Sequence, residues 1–106
     1  MNEYQKFVSD KARVLVDLME EKALKDAGVA KLLGAMRSDL TAILAGNERL
    51  PSRILKGWGL YFSPEGPHGI YDTYPELVDA YCALSWVLRY DQMENYLQAR
   101  KNLSGH

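Results

Sequence analysis

The 106-residue chain carries 13 Lys and Arg against 14 Asp and Glu, a formal net charge of −1, and is 47% hydrophobic. That length supports one domain, residues 1–106, burying roughly two-thirds of its unfolded surface, while near-neutral charge sets up no global field for nucleic acid. A single cysteine excludes an internal disulfide and a four-cysteine zinc site.

The N-terminal residues Met1 to Lys6 turn polar and lack the apolar core of a signal peptide. No charge-free run approaches the length needed to span a bilayer. With the lone cysteine suiting a reducing compartment, a cytoplasmic protein without a membrane partner is the expectation.

Residues 3–25 read as an amphipathic helix. Val8, Ala12, Leu15, Met19 and Ala23 fall on one face, and Lys6, Asp10, Arg13, Asp17 and Glu21 form a charged stripe beside it. Gly28 marks the expected stop or bend. A second helix over 29–45 carries the cleanest period in the chain, through Val29, Leu32, Leu33, Met36, Leu40, Ile43 and Leu44. Gly34 inside it suggests close approach by another helix, and Gly46-Asn47 a C-terminal stop. The short link predicts an antiparallel pair.

Pro51 to Lys56 has the pattern of one short helical turn ended by Gly57, with Arg49, Arg53 and Lys56 making a small basic corner. Gly59 to Phe62 and Gly69 to Tyr71 are the plausible strands. They flank a turn-rich stretch and predict a β-hairpin insertion at about 59–71, which would need helices to lean on. Thr73 and Glu76 have capping-box spacing for a last helix over 74–101. Its half from Leu77 to Leu88 is apolar nearly all round, the mark of a central or covered helix. The expected fold is therefore mainly α, with three principal helices, one short helix and the hairpin, α+β at the margin.

Candidate chemistry is sparse. Cys82 lies in the most apolar run and reads as a small buried hydrophobe rather than a nucleophile. His68 is the one internal histidine, His106 being terminal, so three well-spaced metal ligands cannot be assembled. His68 reads as an exposed turn residue that touches a partner. Glu76 and Asp79 could couple as carboxylates, but acids suit a helix start in any case. Neither glycine-bearing stretch has dinucleotide or phosphate-loop spacing. Neither an enzyme nor a cofactor is expected, and the basic corner is too weak to predict direct nucleic-acid binding.

The segment 57–88 has four acids, Glu65, Asp72, Glu76 and Asp79, and no Lys or Arg; the rest of the chain has ten acids against 13 bases. The molecule should be dipolar. Nine of its eleven aromatics lie at or after Trp58, five of them tyrosines between Tyr61 and Tyr90. Tyrosine joins a large apolar ring to a hydroxyl and commonly anchors binding surfaces, and acids around it select a basic partner.

The expected function is a non-enzymatic protein-binding inhibitor. Its face would comprise Tyr61, Glu65, His68, Tyr71, Asp72, Tyr74, Glu76 and Asp79. Small bacterial immunity proteins that occlude basic toxin or nuclease domains are similar in kind, by size, acidity and tyrosines alone. Two alternatives stand beside it: a self-associating regulatory or structural domain, dimeric through Val78, Trp86 and Leu97, and a ligand-binding domain or enzyme with a pocket near His68 and Tyr71.

Overall fold

A computed structural model describes residues 2–104. Five α-helices and one 3-10 helix make up the described chain: α1 (Glu3–Ala23), α2 (Ala27–Leu44), the 3-10 helix η1 (Lys56–Phe62), α3 (Ile70–Thr73), α4 (Pro75–Val87) and α5 (Met93–Ser104).

α1 is the central element. Asn2 and Gln5 close a capping box at its start, the Asn2 side chain accepting the Gln5 amide at 2.7 Å and the Gln5 side chain accepting the Asn2 amide at 3.0 Å. It buries Tyr4, Val8, Ala12, Leu15, Val16 and Met19, the apolar face set by the period of its sequence. α2 lies antiparallel on one flank: Ser9 Oγ, near the start of α1, donates to the Leu44 carbonyl at the end of α2 at 2.9 Å. α4 lies antiparallel on the other flank. The Tyr4 hydroxyl donates to the Val87 carbonyl at 2.5 Å, and Lys22 pairs with Glu76 at 3.4 Å at the opposite end.

Several expectations are corrected. No strand occurs among the described residues, so the β-hairpin does not form. Gly59 to Phe62 instead belongs to η1, which buries Phe62 alone, and Ile70 and Tyr71 open α3. An isolated hairpin is marginal, whereas helical turns satisfy backbone groups locally. The Ser63 amide bonds the Leu60 carbonyl at 3.1 Å, and the Thr73 amide the Gly69 carbonyl at 3.1 Å. Gly69, at φ 67°, turns the chain into α3. Gly66 packs so closely that a Cβ there would stand 2.7 Å from the Tyr61 carbonyl oxygen.

The short helix also sits later than its sequence pattern suggests, with Gly57 inside it rather than ending it. Gly28 lies in the first turn of α2, capped by Asp26, whose carboxylate accepts the Val29 amide at 3.1 Å. Gly34 faces open space: nothing lies within 4 Å of a Cβ built there. The Thr73–Glu76 capping box does not form, because Thr73 is committed to α3. Tyr74 occupies the cap without a side-chain bond and Pro75 follows at the first turn.

The expected 74–101 helix is broken between Val87 and Met93. Tertiary donors answer the carbonyls that a helix end leaves free: Val87 meets the Tyr4 hydroxyl, and Leu88 accepts the Ser52 amide at 2.8 Å. Of the apolar residues of α4, Leu77, Ala80, Tyr81, Leu84 and Val87 are buried, while Cys82 and Ala83 are exposed and Trp86 is half-buried. The helix is covered on one side only. The reading of Cys82 as a buried hydrophobe fails with it, since Cys82 lies on the outer stripe of α4 with Asp79, Ala83 and Trp86, at helical spacing.

Candidate functional site

The eight residues expected to form a partner-binding face divide into two groups. Glu65, Tyr71, Asp72 and Asp79 are exposed, and Tyr61, His68, Tyr74 and Glu76 are half-buried. The half-buried group is engaged in holding the local structure.

His68 is not a free turn residue. Its ring stacks on Tyr61, with centroids 5.8 Å apart, and lies where a Cβ at Gly28 would come within 3.0 Å of it. Tyr61 in turn meets Trp58, whose indole N–H donates to Asp39 at 2.9 Å. Rings 58, 61 and 68 thus tie the loop before α3 to α2. His106, the second histidine, lies outside the described residues.

The Tyr74 hydroxyl donates to Asp26 at 3.0 Å, so one carboxylate both caps α2 and anchors the start of α4. The Val29 amide, foremost, and the Tyr74 hydroxyl hold Asp26 below its usual carboxyl range, and the same bond to Asp26 raises the Tyr74 phenol. Lys22 lies over the Tyr74 ring at 5.8 Å and pairs with Glu21 and Glu76. Hydrogen bonding to Glu21 is the largest influence raising its pKa.

Three carboxylates of the face, Glu65, Asp72 and Asp79, therefore stand without a cation among the described residues. Glu76 does not. Tyr71 is 46% exposed on α3, and Leu60, 58% exposed, stands on the adjoining η1. Leu60 and Asp26 are the contributors that the sequence hid. A strand reading gave Leu60 no outward direction, and the Asp26–Tyr74 contact spans 48 residues.

Neither His68 nor Tyr71 lines the groove that the fold forms. The large groove, about 880 Å³, lies between the 51–56 segment and the C-terminal half of α4. Leu55 and Leu88 are buried in its lining, and Arg53, Lys56 and Arg89 supply its charge. The Arg89 guanidinium sits over the Trp86 ring at 5.0 Å, so Trp86 is a groove wall rather than core. The Tyr81 hydroxyl donates to the Leu55 carbonyl at 2.5 Å, and Ser85 Oγ, buried one turn further on, makes no hydrogen bond of normal geometry. Burial pushes the Tyr81 phenol up, against a smaller opposing pull from the Ser85 hydroxyl.

Among the described residues no cluster of three His, Cys, Asp or Glu could hold a metal ion, and no helix is long and apolar enough to cross a membrane. Fold and sites together define a small all-helical protein with one acidic, tyrosine-bearing face and one basic groove. Comparison with protein-family models, with curated proteins and with solved structures finds no match for this chain.

Proposed function

We propose that the chain is a non-enzymatic protein-binding inhibitor of the immunity type, docking a basic partner on α3 and the first turns of α4. One observation carries the reading. Tyr71 and Leu60 project from neighbouring helical turns, and Asp72, Glu65 and Asp79 in the same segment have no cation of their own among the described residues. An exposed aromatic and an exposed aliphatic residue supply the area that anchors an interface, and uncompensated acids choose the sign of the partner and speed its approach. The half-buried set, from Tyr61 and His68 to Tyr74 and Glu76, stiffens the face beforehand, which lowers the ordering cost of binding. Inhibition then works by occlusion: the Tyr71 ring enters the partner's cleft while the carboxylates meet its Lys and Arg.

The test is retention of a basic protein from the native lysate on the immobilised chain, repeated with Tyr71→Ala and Asp72→Lys. Both positions are exposed, so both variants should keep the wild-type circular dichroism. The expected result is a stoichiometric basic protein released by moderate salt and lost from both variants. Undiminished retention by both removes this face from the function.

A second reading, self-association, is favoured by α5. Its Leu97 is 53% and its Leu103 67% exposed, and Tyr96 is strongly buried. The surface involved would be α5, since Val78 and Trp86 are half-buried against the core. Light scattering of the wild type and of Leu97→Glu distinguishes the two: a dimer mass abolished by the substitution belongs to self-association, and a monomer in both leaves the acidic face as the working surface.

A further inference from the structure

We infer that the groove between residues 51–56 and the end of α4 is a second binding site, for a flat-ringed phosphate monoester of mononucleotide size. It goes beyond the proposed inhibitor function and uses none of that face's residues. Volume is the first support. At about 880 Å³ the groove falls in the range that takes small ligands, which is roughly 300–1,000 Å³.

The lining chemistry is the second. Arg53, Lys56 and Arg89 share the groove, no Asp or Glu lines it, and none of the three has an ion pair among the described residues. Glu48 lies outside the lining, where its carboxylate accepts the Ser52 hydroxyl. Three cations answer the double charge of a phosphate monoester better than the single charge of a carboxylate, and the arginine fork matches phosphate oxygens two at a time.

The third support is the Trp86 indole, half-buried and already faced by the Arg89 guanidinium. A guanidinium lying over an indole gives a flat ligand a planar cation to stack on, and its phosphate charged donors, at one place.

A nucleic-acid polymer fits less well. The outer stripe of α4 leads away from the groove through Cys82 to Asp79, so no basic track continues in that direction to follow a phosphate backbone.

The probe is adenosine 5′-monophosphate titrated into the full chain, followed by calorimetry and by the Trp86 indole resonance, with adenosine and inorganic phosphate as controls. The expected result is saturable binding that shifts Trp86 and exceeds that of either control. Arg89→Ala and Arg53→Ala should each weaken it about tenfold, the loss of one charge-assisted contact, and Asp72→Lys should leave it unchanged. Cys82 lines the groove and is exposed, so saturating ligand should slow its alkylation by iodoacetamide. Absence of a saturable Trp86 shift at millimolar ligand overturns the inference. So does equal binding of inorganic phosphate, which would mark a plain anion patch. Tight binding of a single-stranded oligonucleotide without binding of the mononucleotide overturns it in favour of a polymer surface.

Discussion

Gly34→Ala should stabilise the protein, and the size of the gain follows from where the residue stands. Gly34 lies mid-way along α2 with its surface exposed, and a Cβ added there meets nothing within 4 Å. Glycine in an exposed helix interior is less favourable than alanine by about 0.8–1.0 kcal/mol, largely because it leaves the unfolded chain more states to lose. With no contact to set against that gain, Gly34→Ala should add about 1 kcal/mol. For a domain of this size that is a rise in melting temperature of about 4–8 °C. Urea unfolding should show a later midpoint at unchanged slope. Gly66→Ala is the internal control of opposite sign. Its Cβ would lie 2.7 Å from the Tyr61 carbonyl oxygen and 2.9 Å from that of Leu60. These are backbone atoms of η1 and cannot swing aside, so a loss of roughly 1–3 kcal/mol is expected. A Gly34→Ala variant that proves neutral or less stable refutes the reasoning. It would mean that a second body rests on that face of α2, and a dimer mass by light scattering would identify that body as another copy of the chain.

Three further outcomes follow from the buried phenols and from Asp26. Tyr81→Phe leaves the buried Leu55 carbonyl without its donor and should cost about 1–3 kcal/mol in urea unfolding. Burial holds the Tyr4 and Tyr81 phenols above their ordinary value of 10.0, so the native state keeps these protons longer than the unfolded chain; the stability involved is complete below about pH 10 and lost as pH rises further, which an alkaline unfolding curve reports. Asp26 works in the other direction. Its folded pKa is depressed, so its contribution is present above the unfolded value near 3.8 and fades as pH falls below it. Asp26→Asn retains a helix cap but removes this titration, so the drop in melting temperature between pH 7 and pH 3 should shrink; an equal drop in both proteins assigns the acid sensitivity to other carboxylates.

The two long helices were legible because their faces carry a local, repeated signal. Val29, Leu32, Leu33, Met36, Leu40 and Ile43 are all buried, as their spacing predicts. What failed depended on contacts distant in sequence. Nothing local says that the α4 helix must end at Val87; the donors that receive its last carbonyls come from Tyr4 and Ser52. The hairpin expectation rested on aromatic residues with high strand preference, Tyr61, Phe62 and Tyr71. Such preference records how a side chain fits a pleated surface, and here the surface to fit is a set of helices. Phe62 stacks on Tyr81 at 4.1 Å and Tyr61 on His68, contacts that helical turns can also make.

The candidate face was legible in charge and not in geometry. A base-free stretch is visible by inspection, but whether an acid in it is available to a partner depends on what the rest of the chain brings near. Lys22 removes Glu76 from the set, and Asp26 occupies the Tyr74 hydroxyl. The groove was split the opposite way. Arg53 and Lys56 were visible as a basic corner of little consequence alone. Folding α4 back beside them adds Arg89 and Trp86, residues of a different element. Along the outer stripe of α4, Asp79 thus precedes Trp86, and Arg89 follows just past the helix end. That order suits the helix dipole, positive at its start and negative at its end, and it places two surfaces of opposite sign on one helix. A basic partner and an anionic ligand would then meet opposite ends of the same element, each repelled from the other's site by the charge already there.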